Sequence, residues 1–294
     1  ITSIHPQEGT PFLTHFQNNN IKRLQNWSIA QDNSNNIFLA NRKGIVKFNG
    51  SNWDLIKSPY IPFAILHDSI TDGIFVGADQ NIGFLRQEKN GTFTYKSLIP
   101  DSLSSGKFTN IKQVDSVLYF IGSDMIVRVK PEHPTNIKCW RADEGKPFTR
   151  LIYNTEHVFI NQWNEGLHRL QDDTLFPIVS GFWTKNKEIL FKLPYDKSRV
   201  LIGTDDNRLY LFDGMKFYNF KLENHSYIEE SVLSGAENIS KRYFALSTLA
   251  GGVLIINKQS GNIHYTINYN TGLPDDEVVA MDMDNNGGLW ISHT

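Results

Sequence analysis

The sequence predicts an all-β fold, a seven-bladed β-propeller built from four-stranded antiparallel blades. Two observations carry this prediction: short runs with a residue period of two, and two-residue turns that recur at a nearly constant distance. These turns begin at Asn49, Asn90, Asp172, Asp213 and Ser260. Asn90 lies 41 positions after Asn49, and Asp213 lies 41 positions after Asp172. A repeat of about 40–45 residues with four strands is the spacing of a propeller blade.

The first unit, residues 26–56, shows what each copy contains. Polar turn residues separate four runs, which are residues 27–32, 37–41, 45–48 and 52–56. Asn49-Gly50 joins the last two runs, and Asn-Gly is a strong hairpin signal because both residues tolerate positive φ. One such sheet cannot bury both of its faces alone, so it requires copies of itself on either side. Helical repeats of similar length need an i, i+3, i+4, i+7 pattern, which no long window shows.

The whole chain, residues 1–294, is interpreted as a single propeller domain, because no linker or change in composition divides it. We expect blades to begin near residues 27, 61, 108, 148, 187, 228 and 278. The seventh unit holds only its two inner strands, and proteins avoid open sheet edges. Two completions stay open. Either the N-terminal segment, residues 1–25, closes the ring through a hairpin around residues 11–16, or residues beyond 294 do so.

Composition and motifs exclude several classes of function. The formal net charge is −2, with 29 basic and 31 acidic residues spread evenly along the chain. This pattern predicts no nucleic-acid binding, and the apolar runs are too short for membrane insertion. No catalytic signature occurs, so we expect neither an enzyme nor a cofactor. Residues 282–287 resemble the start of a calcium loop, but His293 stands where that loop requires a glutamate, so we expect no metal.

Two stretches of the chain resemble a known family. Residues 272–278 (GLPDDEV) and 284–291 (DNNGGLWI) resemble the regulator-propeller repeat G-L-P-x-x-x-V-x-x-I-x-x-D-x-x-G-x-L-W-I-G-T. Met281 and His293 depart from it, since the family usually has Ile and Gly there. The first unit, with Trp27, Gly44 and Trp53 among its matching positions, is similar to the opening blade of periplasmic sensor propellers. Those propellers belong to Bacteroidetes-type hybrid two-component regulators that carry a triple-tyrosine domain.

The resemblance implies a periplasmic sensor domain whose parent chain is anchored in the inner membrane. In such families the propeller senses an extracytoplasmic signal, often a polysaccharide fragment. The signal passes to a triple-tyrosine domain, a membrane helix, and then a histidine kinase or a DNA-binding output.

Candidate ligand-binding residues lie in the loops that join the second and third strands of the blades. Trp163, Asn164 and Glu165 combine an indole for stacking with an amide and a carboxylate, a set that suits a sugar. Binding residues concentrate on loops that a rigid scaffold positions. The equivalent loops of other blades supply the remaining candidates, Asn41, Arg42, Gln80, Asp205 and Asp206. Each of these residues is also an ordinary turn former, and Trp163 packed on a neighbouring blade is an equally good interpretation.

Three functions remain open at this stage. The first is a non-catalytic sensor that binds a small polar ligand such as an oligosaccharide. The second is a protein-interaction scaffold that acts by forming a homodimer. The third is a polysaccharide-active enzyme, which would need Glu165, Asp205, Asp206 and His293 to converge. Propellers host all three kinds of function, so the fold alone does not choose among them.

Overall fold

The strands form seven antiparallel sheets in chain order, as the propeller prediction requires. The computed structural model describes residues 12–16, 25–100, 103 and 106–293. Within these residues, six sheets have four strands and the seventh has two. In every sheet the strands pair in sequence order, as expected for a meander. We number the blades one to seven along the chain.

Three blades occupy the first half of the chain. Blade 1 contains β1 (Asn26–Gln31), β2 (Ile37–Asn41), β3 (Gly44–Phe48) and β4 (Trp53–Ile56). Blade 2 contains β5 (Pro62–Asp68), β6 (Gly73–Ala78), β7 (Ile82–Gln87) and β8 (Phe93–Ser97). Blade 3 contains β9 (Phe108–Val114), β10 (Val117–Gly122), β11 (Met125–Lys130) and β12 (His133–Arg141).

The second half holds the remaining blades. Blade 4 contains β13 (Phe148–Tyr153), β14 (Val158–Gln162), β15 (Gly166–Gln171) and β16 (Thr174–Pro177). Blade 5 contains β17 (Ile189–Pro194), β18 (Val200–Thr204), β19 (Leu209–Phe212) and β20 (Phe217–Asn219). Blade 6 contains β21 (Leu233–Asn238), β22 (Tyr243–Thr248), β23 (Val253–Asn257) and β24 (Ile263–Ile267). Blade 7 contains β25 (Val278–Met283) and β26 (Leu289–His293).

Seven apolar clusters hold the ring together, and each one fills the space between two neighbouring blades. The largest fully buried side chains, including Phe38, Phe108, Phe159 and Phe244, belong to these clusters. The cluster between blades 7 and 1 joins Ile29 and Val46 to Trp290 and so closes the ring. The core of the protein is therefore distributed around the ring, and a blade taken alone would expose its faces.

A repeated irregularity marks the start of each blade. In every pairing of first and second strands, the register shifts by one residue next to the first residue of the first strand. In β1 the shift falls between Asn26 and Ser28, and in β25 it falls between Val278 and Ala280. Because the seventh sheet carries the same bulge, it is a genuine copy of the repeat.

The prediction of seven four-stranded blades is wrong for the described residues, because the seventh sheet has only β25 and β26. The narrower expectation, that this unit holds only its two inner strands, is confirmed. Residues 12–16 form no strand, so in this described part of the predicted closing segment they add none to the seventh sheet. The other residues of that segment, 1–11 and 17–24, lie outside the described residues.

Residues 12–16 nevertheless contact both sides of the seventh sheet. Leu13 packs into the cluster between blades 6 and 7, beside Leu289 and Ile291. Phe16 stacks on Trp290, with ring centroids 5.1 Å apart and an angle of 25° between the rings. Since Trp290 belongs to the cluster between blades 7 and 1, Leu13 and Phe16 contact opposite faces of the sheet. The segment therefore spans the part of blade 7 where outer strands would pack.

The start of blade 6 differs from the prediction. A strand was expected near residue 228, but residues His225–Ser231 form the helix α1, and β21 begins at Leu233. Ile228 is buried in the cluster between blades 5 and 6, so α1 supplies core that the sequence pattern assigns to a strand. Val232 follows the helix with a φ of 59°, an uncommon conformation for a β-branched residue. Among the described residues, no helix is long and apolar enough to cross a membrane.

Candidate functional site

The loops between second and third strands lie at the end of the ring where the first strands begin. This follows from the meander, because the first strand of a blade runs away from that end and the second strand returns to it. Two hydrogen bonds show the arrangement. Trp163 N–H donates to the carbonyl of Pro147 at 2.9 Å, and Asp205 N–H donates to that of Glu188 at 3.0 Å. Pro147 and Glu188 directly precede β13 and β17. We call this end of the ring the loop face.

The loop of blade 4 is held firmly in place. Trp163 is half-buried, and Asn164 adopts a left-handed backbone with a φ of 65°. Asn164 N–H donates to the carbonyl of Lys185 at 2.7 Å. Glu165 forms an ion pair with Lys146 at 2.7 Å, and the hydrogen bond from that lysine lowers the pKa of the Glu165 carboxyl. The loop therefore offers a partly exposed indole beside a carboxylate that is already paired.

The buried base of this loop is a hydrogen-bonded network centred on Asn161. The Asn161 amide nitrogen donates to Thr149 Oγ1 at 2.9 Å and to the carbonyl of Lys187 at 3.1 Å. Its amide oxygen accepts from Thr184 Oγ1 at 2.6 Å. Asn161 is fully buried, and these contacts tie the end of β14 to the segment that enters blade 5. The position of Trp163 thus depends on a polar network beneath it.

Two of the other predicted residues, Asn41 and Gln80, are held in place by hydrogen bonds. Asn41 is buried, and its side chain bonds Asn26 and the backbone of Lys43. Gln80 has a φ of 58°, and its N–H donates to the carbonyl of Gly106 at 2.6 Å.

Arg42 and Asp205 are exposed on the loop face. Asp206 accepts from Thr204 Oγ1 at 2.5 Å and pairs with Lys187, and its hydrogen-bond partners lower the pKa of its carboxyl. The structure brings all eight predicted residues to one face. The side chains of Asn41 and Asp206 serve the turns, whereas Trp163, Arg42 and Asp205 have surface available for a ligand.

A central channel runs along the axis of the ring. It is a cavity of about 420 Å³ lined by the first strands of all seven blades. Blades 3, 4 and 5 each contribute a basic side chain to it, from Lys112, Arg150 and Lys192. Blades 6 and 7 contribute acidic side chains, from Glu237 and Asp282. Among the salt bridges of the described residues, none joins the basic side to the acidic side.

The channel changes the acidity of these groups. Desolvation and the neighbouring charge of Lys112 lower the pKa of the Lys192 ammonium from 10.5 to about 7. Desolvation and the nearby Glu237 raise the pKa of the Asp282 carboxyl from 3.8 to about 7. Desolvation likewise lowers the pKa of Lys112 and raises that of Glu237. A narrow cavity with several such groups is a candidate binding site.

The channel residues do not stand out from the turn pattern of the sequence, although one signal for them is present. Each of these charged residues interrupts a first strand, as Lys192 does in the run ILFKLP. The positions differ between blades, since Arg150 is the third residue of its strand and Lys112 is the fifth. A search for residues at equivalent turn positions therefore does not find them.

The raised pKa of Asp282 predicts how stability changes with pH. Between about pH 4 and pH 7 the folded protein binds a proton that the unfolded chain releases, so this group destabilises the fold as pH rises through that window. Asp282→Asn should remove the effect and raise the free energy of unfolding at pH 8 by roughly 1–2 kcal/mol. This figure is smaller than the full pKa shift implies, because solvent screens the Asp282 charge. Urea denaturation at pH 4.5 and pH 8 measures it. Asp54→Asn, at an exposed position on β4, is the control and should change little at either pH.

Comparison with solved structures supports the fold. The chain is similar to the WD40 β-propeller domain of Doa1, with a TM-score of 0.69, 14% identity, and coverage of 92% of this chain and 90% of that one. It is equally similar, with a TM-score of 0.69 and 14% identity, to the extracellular domain of a putative hybrid two-component system of B. thetaiotaomicron. That match covers 92% of this chain but 38% of the longer chain.

A third similar structure is an inactive virginiamycin B lyase from Staphylococcus aureus bound to quinupristin. Its TM-score is 0.66, with 13% identity and coverage of 91% of each chain. No family model and no curated protein matches the sequence. At these low identities the likeness shows the fold alone. The chain is a β-propeller of four-stranded antiparallel blades, and one of its structural neighbours is the extracellular domain of a two-component system.

Proposed function

We propose that the chain is the extracytoplasmic sensor domain of a bacterial two-component or one-component regulator. One observation carries the proposal: the chain shares its fold, over 92% of its length, with the extracellular domain of a putative hybrid two-component system. In this proposal the domain lies in the periplasm, and its parent chain is anchored in the inner membrane. The domain itself catalyses no reaction. It binds a signal ligand and relays binding to domains further along the chain.

The stretches that resemble the regulator-propeller repeat support the proposal through their structural roles. Gly272 has a φ of 111°, which glycine tolerates, and Leu273 is buried beside blade 7. Asp284 accepts from Gly288 N–H at 2.7 Å and from Trp290 Nε1 at 3.0 Å. The motif therefore has a structural role in this chain, since its residues shape the turn and orient Trp290 toward blade 1. Our candidate for the ligand site is the loop face.

The loop face suits a neutral or weakly charged polar ligand, such as an oligosaccharide. Trp163 offers an apolar surface for stacking on a sugar ring, and Arg42 and Asp205 supply exposed polar groups. The carboxylates of Glu165 and Asp206 are already paired with lysines, so they add little net charge. Such a surface favours hydroxyl-rich ligands over highly charged ones.

Trp163→Ala should weaken oligosaccharide binding by about ten-fold or more, because stacking on an indole is lost. A thermal-shift panel of xylo-, manno-, arabino- and gluco-oligosaccharides on the purified domain identifies the ligand, and calorimetry measures the affinity. Tyr218→Ala is the matched control, since Tyr218 is an aromatic residue on the outer strand β20 and is 46% exposed. Equal affinities for the Trp163 variant and the parent would remove Trp163 from the site.

A second copy of the chain is a further proposed partner. Whether the homodimer forms without ligand distinguishes a scaffold from a sensor. Sedimentation of the domain at increasing concentration, with and without the bound oligosaccharide, distinguishes the two functions. A scaffold should dimerise without any ligand. The sequence of the parent gene gives a second test, since a sensor should continue into a triple-tyrosine domain and an apolar run of about 20 residues.

A further inference from the structure

We propose that the central channel is a second binding site, which takes a small hydroxylated carboxylate. The site is distinct from the loop face, because its charged residues all lie on first strands inside the ring. Its chemistry is set by Lys112, Arg150 and Lys192 on one side and by Glu237 and Asp282 on the other.

The basic side of the channel carries three cations from three consecutive blades. Lys112 on β9 and Lys192 on β17 come from the two blades that flank blade 4, and Arg150 lies on the first strand of blade 4. Arg150 Nε donates to the carbonyl of Ile189 at 2.7 Å, which holds the guanidinium in place. The Lys192 ammonium lies 3.3 Å from the centroid of the Tyr153 ring. These contacts orient the cations but do not neutralise them.

A bound anion would reduce the repulsion among these three cations. Like charges in a partly desolvated cavity repel one another, as the effect of Lys112 on Lys192 shows. Among the described residues, no carboxylate forms a salt bridge with any of the three cations. A carboxylate placed between Arg150 and the lysines would accept charge-assisted hydrogen bonds from preoriented donors.

The rest of the channel suits hydroxyl groups. The Asp282 carboxyl is partly protonated near neutral pH, so it can donate to a hydroxyl as well as accept from one. Glu237 Oε1 accepts from the backbone N–H of Asn238 at 2.8 Å, which fixes that carboxyl group. Asn110 Oδ1 is a buried oxygen on the channel wall with no hydrogen-bond partner. A buried acceptor of this kind indicates a missing donor.

The volume of the channel sets the size of the ligand. A cavity of about 420 Å³ is at the small end of the range for ligand pockets. It fits a molecule such as a six-carbon sugar acid and excludes a long oligosaccharide from the interior. The oligosaccharide of the loop face and the carboxylate of the channel are therefore different ligands.

Binding of a carboxylate in the channel should be coupled to the uptake of protons. Lys192 lines both the channel and the neighbouring cavity between blades 4 and 5. The charged and titratable groups that line the channel with it are His67, Lys112, Arg150, Glu237 and Asp282, and those that line the neighbouring cavity are Asp115, Tyr153, Glu156, His157, Asp196, Lys197 and Arg199. A bound carboxylate favours the charged form of Lys192 and the neutral form of Asp282. Both changes take up protons, so affinity should fall as pH rises from 6 to 8.

The test uses sodium D-gluconate as the probe and D-glucitol as its uncharged analogue. Calorimetry at pH 6.5 should show gluconate binding and no glucitol binding, with proton uptake revealed by buffers of different ionisation enthalpy. Arg150→Met and Lys192→Met should each weaken binding by about ten-fold or more. Both variants remove a desolvated charge, so they should remain folded. Lys197→Met is the control, because Lys197 lines only the neighbouring cavity and should leave binding unchanged.

Four results would overturn the proposal. One is an absence of gluconate binding, another is equal binding of glucitol, and the third is equal affinity for gluconate in the parent and in both methionine variants. The fourth is calorimetric binding of sodium sulfate as tight as that of gluconate, because it would show that the channel binds any anion. Trp163→Ala distinguishes the two sites, since it should weaken oligosaccharide binding and leave gluconate binding intact.

Discussion

Trp290→Ala is expected to lower the free energy of unfolding by roughly 3–4 kcal/mol, within the range for truncating a large aromatic side chain in a core. The indole stacks on Phe16 at 5.1 Å and lies edge-on to Phe48 at 6.2 Å. Its Nε1 donates to Asp284 Oδ2 at 3.0 Å. Trp290 thus connects the seventh sheet to blade 1 and to the segment of residues 12–16. Its loss weakens the contact that closes the ring.

Urea denaturation followed by circular dichroism measures this effect. Trp53→Ala is the matched control, because Trp53 stacks on the same Phe48 at 4.3 Å but belongs to the outer strand β4. It should cost about half as much, because Trp53 packs against the same cluster from the outer strand of blade 1, whereas Trp290 is itself a residue of the seventh sheet. If the two variants lose the same stability, Trp290 has no special role in closing the ring.

Asn161→Leu is expected to cost roughly 3 kcal/mol of stability and to abolish oligosaccharide binding. The substitution preserves approximate volume but leaves Thr149 Oγ1 and the carbonyl of Lys187 without their buried donor. It also removes one acceptor of the Thr184 hydroxyl, which keeps the carbonyl of Gly181 as its other acceptor. Because this network lies beneath the loop that carries Trp163, the loop should lose its fixed position.

The control for this prediction is Asn36→Ala. The Asn36 side chain bonds only Asp32, in a turn at the opposite end of blade 1, so its loss should cost less than about 1 kcal/mol. Thermal denaturation gives the stability, and calorimetry with the oligosaccharide gives the affinity. Full affinity in Asn161→Leu would show that the loop holds its shape without the network.

The strand repeat could be predicted from the sequence because its signals are local. Asn49-Gly50 and Asp213-Gly214 shape turns through the positive φ of their glycines, 91° and 96°. Each turn occupies the same place in its blade, so such turns recur at the length of the repeat. The helix α1 could not be predicted in the same way. It has seven residues and one core position, Ile228, which is too short a stretch for a helical period to stand out.

The candidate site was predictable only in part. Loop positions follow from strand order, so a common face for Trp163, Arg42 and Asp205 can be predicted from the sequence, and their role in binding stays a prediction. The burial of Asn41 depends on Asn26, which lies 15 residues away, and nothing in its own loop indicates that contact. The channel depends on how seven first strands converge around an axis. Lys112 and Asp282 interact electrostatically although they lie on β9 and β25, which are far apart in the sequence.

The loop face and the channel both require a closed ring, and we expect the contacts of Leu13 and Phe16 with blade 7 to strengthen its closure. A double-mutant cycle of Phe16→Ala and Trp290→Ala tests it most directly. We expect a coupling energy of about 1 kcal/mol, the value for a stacked aromatic pair. Phe12→Ala, at a position that is 93% exposed, should show no coupling to Trp290. Additive losses for Phe16 and Trp290 would contradict the claim and place the completion of the seventh blade elsewhere.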